Sequence, residues 1–214
     1  MKSLFFTLNL LILCVINSAA QQPIKDIKVT YELNKDDLQT IANFLDIDYT
    51  KFELSKKFTN RFCNVIVDEY KYGKLIKQIS WRDSVKQYDM LLKVPELLEK
   101  EKFEVTFISQ KINDSILKLK LGVGGIGFNS KLKLIDTLQY SWKSLSDFDK
   151  KKLVINIDSI LPVLTFTSPV GQQFAGNSSN AEFCKINNNE VPHKDWYIKL
   201  GIVHYYIYSL KFEK

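Results

Sequence analysis

From Lys102 to Val123 the chain reads KFEVTFISQKINDSILKLKLGV, and in both arms apolar residues fall on every second position. Phe103, Val105 and Phe107 share one face of the first arm, and Leu117, Leu119 and Leu121 share one face of the second. A period of two is the signature of a strand with one buried and one solvated face. Ile112-Asn113-Asp114-Ser115 between the arms supplies turn residues. The stretch therefore predicts a β-hairpin whose apolar face must be covered by another layer.

The same pattern recurs along the chain. Ile27, Val29, Tyr31 and Leu33 alternate as in a strand. CNVIVDEYKYGKLIKQISW predicts two arms about Lys71-Tyr72-Gly73-Lys74. SKLKLIDTLQY resumes strand periodicity, and Pro162 in SILPVLTFTSP marks an edge, a bulge or a break. The closing VHYYIYSLKF predicts a strand with Ile202, His204, Tyr206, Tyr208, Leu210 and Phe212 on one face, and Val203, Tyr205 and Ile207 on the other. Its first half is apolar on both faces, as in a strand covered on both sides. Tyr206, Tyr208 and His204 are its candidate core residues.

Helical signals are few. Asn34 suits an N-cap, Asp36 and Asp37 suit a first turn, and Leu38, Ile41, Ala42 and Leu45 form an apolar stripe, which predicts a helix over 35–45. Pro95 suits the first position of a short helix through Leu98, and HKDWYIKLGI suits another. GQQFAGNSSNAEFCKINNNEVP reads as a long polar loop. Many short strands with few helices predict a mainly β fold, an antiparallel β-sandwich or barrel-like sheet with one or two short helices.

The N-terminus reads MKSLFFTLNLLILCVINSAAQQ. Lys2, the apolar run from Leu4 to Ile16 and the small residues Ser18-Ala19-Ala20 have the order of a secretory signal peptide over 1–20, with Gln21 as the mature start. No second long apolar run follows, so no transmembrane segment is expected in the mature chain, which would form a single β-rich domain over 21–214. The formal net charge of +6 falls to +5 without Lys2. The lysines are scattered along alternating arms and arginine occurs only at Arg61 and Arg82, a pattern that argues against nucleic acid and for solvated strand faces. In an exported chain Cys63 and Cys184 either pair as a disulfide or stand as two buried thiols.

VIVDEYKYGKLIKQISW, the FCKINN stretch before Asp195-Trp196-Tyr197, and the closing KLGIVHYYIYSLKF resemble uncharacterised exported proteins of Bacteroidetes. The resemblance implies an envelope location and carries no catalytic signature. Asp83-Ser84-Val85, Asp114-Ser115-Ile116, Asp136-Thr137-Leu138 and Asp158-Ser159-Ile160 likewise resemble the O-glycosylation signature of such proteins, with Ser115 in its turn as the best candidate.

Gly122, Gly124 and Gly127 have the G-x-G-x-x-G spacing of a dinucleotide loop. Such a loop must open a helix, whereas Leu132 and Leu134 after it alternate with lysines as in a strand. A bulge, a wide turn or a close strand crossing explains the glycines, and no cofactor is expected. His193 is expected to be exposed. Two histidines without H-E-x-x-H or paired C-x-x-C give no metal set. Asp68 and Glu69 are neighbours in a strand and point to opposite faces, so they cannot work as a carboxylate pair. No G-x-S-x-G is present. The expected function is an exported, non-enzymatic interaction module of the cell envelope, with an envelope protein or a glycan as partner. The alternative is an envelope hydrolase whose site is assembled from distant residues.

Overall fold

The computed structural model describes residues 27–30, 36–54, 58–84, 94, 103–124, 126–135, 138–145, 159–170 and 191–214. The signal-peptide segment, Cys184, the helix expected after Pro95 and most of the polar loop lie outside these residues. Within them the architecture is mainly β: two five-stranded antiparallel sheets packed face to face. The sheets stay separate, so the sandwich form of the expectation holds and the barrel-like form does not.

One sheet, sheet A, comprises β1 (Ile27–Thr30), β2 (Ile47–Leu54), β5 (Phe103–Asn113), β6 (Ile116–Val123) and β7 (Ile126–Lys133), in the order β1-β2-β5-β6-β7. The other, sheet B, comprises β3 (Phe62–Lys71), β4 (Lys74–Ser80), β8 (Ser141–Ser144), β9 (Leu161–Thr167) and β10 (His204–Glu213), in the order β4-β3-β10-β9-β8. The hairpins follow from local chemistry. Tyr72 and Gly73 both have positive φ, 50° and 74°, the geometry of a type I′ turn between β3 and β4. Gly124 turns β6 into β7 at φ 55°, and Gly122 and Gly127 face each other across that hairpin. A Cβ on Gly122 would run into Thr106 Oγ1, so a close approach of β5 and β6 requires glycine there. The glycine stretch is a strand corner, with β7 following it in place of a helix. Pro162 sits at a bulge, where the β9–β10 register shifts between Tyr208 and Ser209.

The inner faces of the two sheets form one core. Phe52, Phe107, Leu119 and Leu121 of sheet A meet Val65, Val163, Tyr208 and Leu210 of sheet B, all buried. Phe107 packs edge-on against Tyr208 with ring centroids 5.5 Å apart. Trp142 Nε1 donates across the sandwich to Ser109 Oγ at 2.7 Å. Phe103, Val105, Phe107, Leu117, Leu119 and Leu121 all point inward, as the alternation required.

β10 lies at the centre of sheet B, hydrogen-bonded to β3 on one side and β9 on the other. Its outer face is covered by a second cluster, in which Tyr205 and Ile207 pack with Leu145, Trp196 and Leu200. Trp196 and Leu200 come from α3 (Trp196–Leu200), which Gly201 ends at φ 67° while Ile202 N–H bonds back to Trp196 O. The covered outer face explains why the first half of β10 is apolar on both sides. Ile202 corrects the alternation: it precedes the strand and packs with Tyr205 in the second cluster.

The helix expected at 35–45 is α1 (Asp36–Phe44), but only Ala42 of its stripe is buried. Leu38, Ile41 and Leu45 are 42–53 % exposed. Helical periodicity identified the element but not what its apolar side meets.

Candidate functional site

Where the edge strands β4 and β7 face one another the sandwich opens into a cleft of ≈ 480 Å³. That volume lies in the range of small-molecule sites. Cross-strand register builds the sheet B wall in rows. Ile79, Val67 and Tyr208 lie side by side, and Lys77, Glu69 and Tyr206 form the next row. Leu119, Ser130 and Leu132 supply the sheet A wall. The floor is apolar because these are the inward positions of alternating strands.

Trp81 closes one end of the cleft. It opens α2 (Trp81–Ser84), a single turn immediately after β4. Asn64 Oδ1 accepts the Arg82 backbone N–H at 3.1 Å, and Asn64 Nδ2 donates to Ser80 Oγ at 3.1 Å. Arg82 is held by Glu213 and lies over the Phe62 ring. These contacts fix the turn, and the indole packs on Phe128 with centroids 5.1 Å apart.

Two polar atoms in this wall are buried without a hydrogen-bond partner: Trp81 Nε1 and Tyr208 Oη. They are the unpaired buried side-chain polar atoms among the described residues, and both residues line the same cleft. Leaving such a group unpaired costs about 1–3 kcal/mol. Tyr208 is fully buried, its ring held by Phe107 and Trp142.

At the other end Tyr206 Oη donates to Lys133 O at 2.8 Å and ties sheet B to the edge of sheet A. Beside it runs a hydrogen-bond chain. His204 Nε2 lies 3.2 Å from Glu69 Oε1, and His204 Nδ1 lies 2.6 Å from Tyr140 Oη, which accepts Ile135 N–H. Burial holds the His204 pKa below its ordinary value, although Glu69 pulls the other way. The ring is therefore neutral at pH 7. A carboxylate only accepts, so Nε2 carries the proton and Tyr140 donates to Nδ1. Burial pushes Tyr140 up to about 12, and raises Tyr206 and Tyr208 as well. The phenols are hydrogen-bonding groups here, not nucleophiles.

The candidates from the sequence divide between this site and elsewhere. Tyr206 and Tyr208 line the cleft, and His204 stands behind it, buried and braced by Glu69. Glu69 and Asp68 do point apart: Asp68 accepts from Gln78 Nε2 at 2.7 Å on the other face. Cys63 is a buried free thiol with its pKa raised to about 12 by burial, and Cys184, its partner in the disulfide alternative, lies outside the described residues. Ser115 occupies the β5–β6 turn, half-buried, with its N–H bonded to Asn113 Oδ1 at 3.0 Å. His193 corrects its expectation: it is half-buried, edge-on to Trp196. Among the described residues no group of three or more His, Cys, Asp or Glu is placed to hold a metal ion, and no helix is long and apolar enough to cross a membrane. Trp81, Lys77 and Tyr140 escaped the sequence reading. The cross-strand offset of VIVDEY against KQISW signals where Trp81 falls, but not what it faces.

Comparison with known proteins finds no matching family model and no significant similarity to a curated protein or a solved structure.

Proposed function

We propose that this chain is an exported, non-enzymatic binding module of the cell envelope, and that the cleft between β4 and β7 takes a small ligand with an apolar body. The observation that carries this reading is the ≈ 480 Å³ cleft, whose apolar wall of Val67, Ile79, Leu119 and Leu132 is flanked by the polar Glu69, Lys77 and Ser130. A site with a few placed polar groups in an apolar lining is the usual form of a small-molecule pocket. Export rests on the leader-like order of residues 1–20 and on the resemblance to exported proteins.

The hydrolase alternative would use the Glu69–His204–Tyr140 chain. His204 is only 3 % exposed and is not part of the cleft wall, and the raised Tyr140 makes a poor nucleophile. These features favour a bracing role for the chain. A macromolecular partner, an envelope protein or a glycan, remains part of the proposal. The exposed Tyr72, Tyr197 and Ile198 beside the β3–β4 turn support a protein contact.

Titration of the mature protein with an environment-sensitive apolar fluorophore tests the reading. Saturable binding is expected, weakened by the cleft-filling Ser130→Trp and unaffected by Lys111→Ala near the end of β5. Turnover of simple esters or glycosides, abolished by Glu69→Gln, would replace it with the hydrolase.

A further inference from the structure

The surface where the β3–β4 turn meets α3 lies outside the cleft and does not depend on it. We infer that this surface seats the protein on an anionic bilayer, with its apolar side chains entering the headgroup region and its lysines meeting lipid phosphates.

Five large apolar side chains stand out there. Ile198 is 74 % exposed, Ile76 57 % and Tyr72 52 %, and Leu75 and Tyr197 are exposed as well. One exposed apolar residue is ordinary, whereas a cluster marks a contact surface. The cluster is joined across two elements. Tyr72 packs edge-on against Tyr197 with centroids 5.7 Å apart, and a Cβ on Gly73 would lie 3.2 Å from Tyr197 Cβ. Leu75 lies opposite Tyr70, whose ring stacks on Tyr205, and Tyr205 meets Trp196 of α3. The backbone beneath is fixed. Tyr72 N–H donates to Val203 O at 2.8 Å, Trp196 Nε1 donates to Val191 O at 3.0 Å, and Trp196 and Leu200 are buried.

Charge names the occupant. KYGKLIK and HKDWYIKL, the two segments that form this surface, hold five lysines and one acid, Asp195. Lys77 lines the cleft, whereas Lys71, Lys74, Lys194 and Lys199 are exposed among the apolar side chains. Asp195 is itself 3.7 Å from Lys199. Lysines on an edge strand deter pairing with another chain, but that role covers Lys74 and not Lys194 or Lys199, which flank a helix. An anionic bilayer offers both partners on one surface: phosphates for the lysines, and acyl chains for Ile198, Ile76 and Leu75. Tyrosine suits the boundary between the two. A protein partner would have to bring acids and an apolar recess in matching positions.

Flotation of the mature protein with lipid vesicles tests this. Vesicles of phosphatidylcholine with phosphatidylglycerol are expected to carry the protein up a density gradient, vesicles of phosphatidylcholine alone far less, and added salt to weaken the binding. Lys74→Glu with Lys194→Glu reverses two charges at the surface. Lys118→Glu with Lys120→Glu makes the same charge change on the outer face of sheet A. The first pair is expected to lower partition onto the anionic vesicles roughly tenfold or more, and the second far less. Ile198→Ser leaves the charge unchanged and is expected to lower it roughly fivefold. These positions are all exposed, and an unchanged thermal melt confirms that each variant folds. Equal losses in the two lysine pairs reduce the binding to bulk charge and overturn the inference. So does undiminished binding in Ile198→Ser, or equal partition onto both kinds of vesicle. Absence of flotation overturns it too and leaves the surface to a protein partner, while the fluorophore titration of the cleft is unaffected, so the two readings fail separately.

Discussion

His204 and Glu69 meet diagonally across the β3–β10 pair, Nε2 to Oε1 at 3.2 Å, although the register sets His204 opposite Lys71. The contact fixes the imidazole behind the cleft and, through Nδ1, fixes Tyr140. The folded-state pKa of His204 is lowered by burial, with Lys71 contributing in the same sense and Glu69 opposing. His193 is lowered for the same first reason. A lowered pKa means the folded protein binds fewer protons than the unfolded chain. Stability from these histidines is therefore present above about pH 6.5, the unfolded value, and is lost as pH falls through the folded value. Thermal melts between pH 7.5 and 5 should show a falling Tm, with a smaller fall in His204→Gln. An identical pH profile in that variant would remove His204 from the account.

The unpartnered hydroxyl of Tyr208 and the paired one of Tyr206 should respond oppositely to the same chemical change. Tyr208→Phe deletes a buried hydroxyl without a partner and should raise the ligand-free stability by about 1 kcal/mol. Tyr206→Phe breaks the bond to Lys133 O and should lower it by about 0.5–1.5 kcal/mol. Urea unfolding curves measure both, and a loss of stability in Tyr208→Phe contradicts its orphaned state.

Gly122→Ala should cost about 1–3 kcal/mol, because the added methyl runs into Thr106 Oγ1 on β5. Thr106→Ala removes that oxygen and should restore most of the loss in the double variant. A coupling energy near zero in the cycle would mean the contact is not the cause. Calorimetry with NAD and ATP should show no saturable heat, since the glycines join strands.

Truncation after Gly201 should abolish folding. It removes Tyr205, Tyr206, Ile207, Tyr208, Leu210 and Phe212, all buried. At about 1.5–3 kcal/mol each, their summed loss is as large as a total stability of about 5–15 kcal/mol. A cooperative melt in the truncated chain would show that β10 is dispensable.

Alternation in the sequence made the hairpins legible, because a strand with one buried face must repeat every second residue. Tyr72-Gly73 marked its turn for the same local reason. The apolar faces of β10 were legible too, but not what covers the outer one, since Leu145 reaches it from a distant segment and Trp196 from a helix that folds back on the strand that follows it. Ile202 was misread because alternation carries no sign of where a strand begins. The stripe of α1 shows the converse limit: Leu38 and Ile41 have helical spacing, yet spacing cannot say whether a second surface exists to receive them. The cleft was invisible for a related reason. It arises where β4 and β7 fail to close on each other, and Trp81 and Ser130 are neighbours only through two sheets.

The central place of β10 in sheet B has a temporal side. Glu69 and His204, which touch in the finished protein, are separated by 135 positions in the chain. During synthesis β3 emerges long before the only strand that can occupy its inner edge. Until then sheet B is an open hairpin with a bare row of backbone donors and acceptors, and contacts of such long range form slowly. The five strands of sheet A are complete by Lys133, whereas the centre of sheet B can be filled only once the last described strand has been made.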